Sequence, residues 1–270
     1  MIKGSVLFVY EHHKQSIKKL INYFKEDNEV IAIILGGSIA KGLERVDSDI
    51  DAIIVTTQNK YDELSAMNKL SECIWGYCNY DGGYFDIKYC TKSYLFSVES
   101  KGSEPSRNAF LCSKCIYSKD DEISLIVSEI PVFQKSEKQE KMLSFYSAFN
   151  LNYGYFWNVS ENNIYLRVKT AADIILFGFR LLLQENEVLF PCHKSLRQTV
   201  SELKNKPKDI IEKSDLFLSK LDDSSKDDFV SSILNFIDFI PPKDYNVALT
   251  RFIDDNELWW YKNRPIIAEW

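Results

Sequence analysis

Two stretches of almost uninterrupted aliphatic residues stand close together, EVIAIILGG at 29–37 and DIDAIIVTT at 49–57. Each has the length of a strand, and each is apolar on both faces. Such strands belong in the interior of a sheet covered on both sides. Helices must supply the cover. Residues 14–27, KQSIKKLINYFKED, space Ile17, Leu20, Ile21 and Phe24 at helical intervals. Residues 60–75 carry Tyr61, Leu64, Met67, Leu70 and Ile74 near the same spacing, which predicts a second helix. A DGG turn at 81–83 then precedes a third strand, YFDIKYCT at 84–91. The order helix, strand, short helix, strand, helix, strand describes a small α/β domain.

The texture changes near residue 135. QKSEKQEK at 134–141 is polar and charged, and reads as a linker. Helical patterns dominate beyond it. RVKTAADIILFGFRLLLQ at 167–184 is apolar enough to be the central helix of its domain. Pro191 and a loop carrying His193-Lys194 follow. Two amphipathic helices at 208–221 and 226–240 come next, the second with Ser225 as its N-cap and Pro241-Pro242 after it. A last helix is expected over about 245–261. The boundary therefore falls at 138/139, with an α/β (α+β) domain at 1–138 and a mainly helical domain at 139–270.

The net charge of −6 does not favour a nucleic-acid surface and suits a cationic small partner better. No apolar run reaches the roughly 20 residues needed to span a bilayer. The run at residues 6–9 is too short for a signal peptide, so the expected location is the cytoplasm. The six cysteines include one C-x-x-C, Cys112 and Cys115, without a second pair at zinc spacing; they are read as reduced, mostly buried thiols. His12 and His13 are neighbours on a helix and cannot bind one ion from one face; both are read as solvated. Arg167, Lys169, His193 and Lys194 are read as helix-end and loop charges. The aromatic residues of NYGYFWN (152–158) and the pair Trp259-Trp260 are read as core.

Chemistry concentrates between the first two strands, in GGSIAKGLERVDSDID at 36–51. Alternate residues of a strand share a face, so Asp49 and Asp51 point the same way. Two carboxylates so close require something positive between them, and hard oxygen ligands suit Mg²⁺. Gly36-Gly37 ends a strand where Ser38 opens a helix. That junction offers backbone N–H groups to an anion, and Lys41 stands one turn further on. Asp86, flanked by Phe85 and Ile87, supplies a third acid from the next strand. It is placed to bind a metal or to take a proton.

Taken together, Gly37-Ser38, a spacer near ten residues, then Asp49-Ile50-Asp51 and Asp86, resemble the nucleotidyltransferase superfamily typified by DNA polymerase beta. The resemblance covers roughly residues 30–90. The helical second half is similar in architecture to the antibiotic branch, such as the kanamycin and lincosamide enzymes. The resemblance implies a small mixed sheet and metal sites at Asp49, Asp51 and Asp86. It also implies nucleotide contacts at Gly37, Ser38, Lys41 and Ser48, and two Mg²⁺ ions. ATP or another NTP would donate a nucleotide monophosphate to a hydroxyl of a small, aminoglycoside-like acceptor, releasing pyrophosphate. Asp86, or an acid of the helical half, would act as base. Lysine at position 41 stands where relatives often carry arginine. A second subunit completing the site, hence a homodimer, is compatible with it. The alternatives are an antitoxin-like enzyme that modifies a protein, and a non-catalytic nucleotide-binding module on the same fold.

Overall fold

The computed structural model describes residues 10–262 and 264–270, and the apolar run at 6–9 lies outside them. The chain divides into two compact units. One comprises residues up to Gly102 together with Ser106–Val132, the other Ser103–Pro105 together with Phe133–Trp270.

Up to Val132 the elements are α1 (Glu11–Phe24), β1 (Val30–Leu35), α2 (Gly37–Lys41), β2 (Ile50–Thr56), α3 (Gln58–Ala66), β3 (Ser71–Ile74), β4 (Phe85–Thr91), α4 (Lys92–Lys101), α5 (Glu104–Asn108), whose first two residues belong to the second unit, β5 (Lys114–Ser118) and α6 (Asp121–Glu129). The five strands form a mixed sheet in the order β3-β4-β2-β1-β5. β2 and β4 run parallel, and the other neighbours are antiparallel. The two aliphatic runs of the sequence are β1 and β2, central and covered on both faces. Ile33, Leu35, Ile50, Ile54, Phe85 and Ile87 pack on one side with Leu20 and Phe24 of α1. Ala32, Ile34 and Val55 pack on the other with Leu95 and Val98 of α4 and Ile123 and Ile126 of α6. The alternation follows from the two-residue period of the pleat.

The helix expected over 60–75 stops at Ala66. Asn68 adopts a left-handed conformation (φ 56°), and the Lys69 N–H returns to the Leu64 carbonyl at 2.8 Å. Asparagine is one of the few residues that enter this region readily. The chain then enters β3, paired antiparallel with β4 from Ser71↔Lys88 to Ile74↔Phe85. The helical spacing of Leu70 and Ile74 was coincidental. β5 was not recognised at all, because KCIYS is too short and too mixed to show a period.

The second unit is helical: α7 (Lys138–Leu151), α8 (Trp157–Val159), α9 (Ile164–Glu185), α10 (His193–Glu202), α11 (Ile210–Lys220), α12 (Asp223–Leu234) and α13 (Tyr245–Asn256). A π-helical turn, Asn152–Phe156, joins α7 to α8, and a 3₁₀ turn, Trp259–Tyr261, follows α13. As its apolar length implies, α9 lies at the centre, with Ile174, Leu181 and Leu182 wholly buried. The expected linker at 134–141 is instead a 3₁₀ turn leading into α7. Its Lys141 is buried because it serves the carboxylate of Glu104, which is wholly inaccessible. Glu104 Oε1 accepts from Lys141 Nζ (3.2 Å) and Gln184 Nε2 (2.5 Å), and Oε2 accepts from Arg180 Nη2 (3.3 Å) and the Phe190 N–H (2.9 Å). A composition rule cannot see a partner 37 residues away.

Smaller expectations also change. Asp222, not Ser225, caps α12, accepting from the Ser225 N–H at 2.8 Å. His193 begins α10 rather than lying in a loop. Arg167 is not a solvated helix-end charge: its guanidinium lies 3.2 Å from the centre of the buried Trp157 ring. Trp259 and Trp260 are exposed rather than core. Of the six thiols only Cys90 is buried, and all six are free. No helix among the described residues is long and apolar enough to cross a membrane.

Candidate active site

β1 ends at Leu35, and Gly36 turns the chain out of the sheet. The Gly36 N–H still donates to the Asp51 carbonyl at 3.0 Å, so the turn is tied to β2 at the candidate residue itself. Gly37 has φ +64°, and a Cβ built there would lie 1.7 Å from Asp51 Oδ2. Glycine is therefore required for two reasons, the left-handed backbone and the space taken by the Asp51 side chain. Helix α2 follows for five residues and closes on Gly42, also left-handed.

The parallel register of β2 and β4 sets Asp51 directly beside Asp86. Asp49 lies two residues earlier, just before β2 begins. The three carboxylates offer ligand oxygens that all lie within 4.8 Å of one another. Burial, then the charges of Asp49 and Asp86, push the Asp51 carboxyl up to about 6, against the weaker pull of Lys88 and Lys41. A carboxylate crowded by like charge holds its proton more tightly. The same crowding is what a divalent cation relieves. The donor set, three hard oxygens on one sheet face, fits Mg²⁺.

The loop between α2 and β2 is fastened from several sides. The Ser48 hydroxyl accepts from the Arg45 N–H at 2.9 Å and from the Ser38 hydroxyl at 3.3 Å. The Ser48 carbonyl accepts from the Tyr80 hydroxyl at 2.7 Å, and the Val46 carbonyl from His12 Nε2 at 2.9 Å. Ser48 is thus largely buried in these hydrogen bonds, and both it and Ser38 line the cleft. His13, expected in solvent, is fully buried beneath Tyr80, their ring centres 5.0 Å apart. Burial and the neighbouring His12 hold its pKa down, although Glu44 opposes them.

A cleft of about 360 Å³ runs along this loop, from Ser38 past Arg45, Ser48 and Asp49 to Tyr84. Of the residues named from the sequence, Ser38, Ser48 and Asp49 line it. Gly37 lies under Asp51, and Lys41 is exposed at the end of α2. Three further residues went unnoticed. Arg45 brings a guanidinium into the cleft, paired to Asp47 at 3.1 Å. Lys88 shares the strand face of Asp86 two residues on. Tyr84 hydrogen-bonds Asp49 through its hydroxyl, which raises the phenol to about 12. Strand parity with Asp86 was the available signal for Lys88 and Tyr84; Arg45, in an irregular loop, gave none.

Residues 18–122 match the family model described as polymerase beta, nucleotidyltransferase. Two solved structures are similar at low identity. One is a nucleotidyltransferase-like protein from Exiguobacterium sibiricum, with 10% identity and a TM-score of 0.49 over 94% of this chain and 81% of that one. The other is a spectinomycin adenyltransferase from Enterococcus faecialis, solved with ATP and spectinomycin, with 13% identity and a TM-score of 0.31 over 90% of this chain and 96% of that one. At these scores neither carries a functional argument. No curated protein sequence matches the chain.

Proposed function

We propose that the chain transfers a nucleoside monophosphate, AMP from ATP, to a hydroxyl of a small acceptor and releases pyrophosphate, a reading supported by the match of residues 18–122 to the polymerase beta nucleotidyltransferase family model. The observation that carries this reading is the gathering of Asp49, Asp51 and Asp86, with their ligand oxygens within 4.8 Å of one another, beside a glycine turn. All three acids are present, which weighs against a non-catalytic module. The net charge of −6 favours a cationic acceptor such as an aminoglycoside-like molecule. Six free thiols suit a reducing cytoplasm.

Asp49, Asp51 and Asp86 would hold Mg²⁺, which when bound supplies charge neutralisation and polarises the phosphoryl group. The rest falls to the chain's own groups. The first-turn N–H groups of α2 have no partner within their helix. With the Ser38 hydroxyl and the Arg45 guanidinium, they orient the β- and γ-phosphates. The acceptor oxygen attacks the α-phosphorus in line with the departing pyrophosphate. One P–O bond forms as the other breaks, and the acceptor's proton passes to an Asp86 oxygen. Pre-set charges and fixed positions do most of the work, as in other phosphoryl transfers.

Thermal melts with each NTP, with and without Mg²⁺, test the reading on wild type and Asp51→Asn. One NTP is expected to raise the melting temperature only with Mg²⁺ and only in the wild type. Stabilisation that survives in the variant would remove the carboxylate cluster from the nucleotide site. Transfer of an α-labelled phosphate to an acceptor then completes the assignment.

A further inference from the structure

Trp75 directly follows β3 and Tyr84 directly precedes β4, next to the terminal pair Ile74↔Phe85. Their rings stack with centroids 4.4 Å apart and an interplanar angle of 25°. The outer ring, Trp75, remains 63% exposed. Tyr84 is held at both ends. Its carbonyl accepts from the Ile50 N–H at 2.9 Å, and its hydroxyl reaches Asp49. A single exposed aromatic is ordinary on a protein surface; what sets Trp75 apart is its seat on a ring that lines the cleft. A cross-strand aromatic pair also steadies a hairpin. That role needs neither the exposed face nor a place in the cleft, and Tyr84 lines the same cleft as Ser38 and Asp49.

Strand order assigns the occupant. The glycine turn stands at the end of β1, the paired acids Asp51 and Asp86 on β2 and β4, and the aromatic pair between β3 and β4; the sheet runs β3-β4-β2-β1. In-line displacement puts the leaving pyrophosphate and the attacking oxygen on opposite sides of the α-phosphorus. With pyrophosphate on the β1 side, the attacking molecule approaches across β4, where Trp75 and Tyr84 lie. We propose that the Trp75–Tyr84 stack is the acceptor subsite and that it takes a cationic hydroxylated ring, whose C–H face covers the indole. This rests on the nucleotidyl-transfer reading of the same site. Electron-rich ring faces attract cations, and the connecting segment adds the exposed carboxylate of Asp81.

Calorimetric titrations test it with three probes: kanamycin (ring and charge), myo-inositol (ring without charge) and spermidine (charge without ring). They are run without nucleotide on wild type, Trp75→Ala and Trp75→Phe, with Mg·ATP titrated separately into each. Kanamycin is expected to bind the wild type more tightly than either other probe. Trp75→Ala should weaken it about tenfold, and Trp75→Phe, which keeps a ring, by much less. The change in Mg·ATP affinity should be far smaller. No kanamycin binding to the wild type overturns the proposal, and so does equal binding of all three probes. A loss of Mg·ATP affinity alone would give the stack to the nucleobase; equal loss of both, or of neither, makes it structural. Mg·ATP that fails to bind any of the proteins would sink the transferase reading and leave the kanamycin result standing.

Discussion

Replacing Asp51 by asparagine should make the metal-free protein more stable near neutral pH while destroying its response to Mg²⁺. The carboxyl is pushed from its ordinary 3.8 up to about 6 by burial and by Asp49 and Asp86. A pKa raised on folding means the native state binds the proton more tightly. The favourable contribution is complete below 3.8 and is lost as pH rises through about 6. Above that, folding forces a charge into a crowded, partly dry place. At about 1.36 kcal/mol per pH unit the gap corresponds to about 3 kcal/mol. Asp51 is partly open to water, which screens it, and about 1–2 kcal/mol remains. Asparagine has the same size, so it fits over Gly37 and removes only the charge. Scanning calorimetry of the transition of the first unit should show the variant melting about 3–6 °C higher near pH 7.5, with the gap closing near pH 4. Mg²⁺ should raise the wild-type transition and leave the variant's in place. A variant that is less stable near neutral pH, or a gap independent of pH, would refute the electrostatic account of the cluster.

Other substitutions probe other links. Gly37→Ala should cost at least about 2 kcal/mol through φ strain and the collision with Asp51, and should abolish Mg·NTP stabilisation in the same melts. Asp86→Asn should lower transfer by about 10²-fold or more while the variant still folds, measured as pyrophosphate release. Tyr80→Phe frees the Ser48 carbonyl, and a rise in the KM for NTP larger than the fall in kcat would show that Tyr80 acts by holding the loop. Glu104→Gln leaves Lys141 and Arg180 facing a neutral amide in a buried site. Urea unfolding of the helical unit should register a loss of about 3–5 kcal/mol.

The ease with which each part could be read from the sequence depends on how far its cause reaches along the chain. β1 and β2 were plain because burial on both faces writes itself into every residue of a strand. The clustering of the acids was legible because the turn and two of them lie within 16 residues, Gly36 to Asp51, and the β2–β4 register sets Asp86 beside Asp51. β3 was misread because one left-handed asparagine, Asn68, ends α3, and no periodicity announces a single backbone choice. Lys141 was read as linker because its partner Glu104 sits 37 residues earlier, in the short segment Ser103–Pro105 that belongs to the helical unit. His13 was read as solvated because the ring that buries it, Tyr80, arrives from a segment 67 residues on, counted from 13 to 80. The same logic explains Gly37. The sequence reserved that position for glycine, but only the β1–β2 register reveals that Asp51 fills the space where a Cβ would stand. The glycine thus makes room for one of the three clustered carboxylates. Turn and acid therefore constrain one another, and a change at either should be felt first at the other.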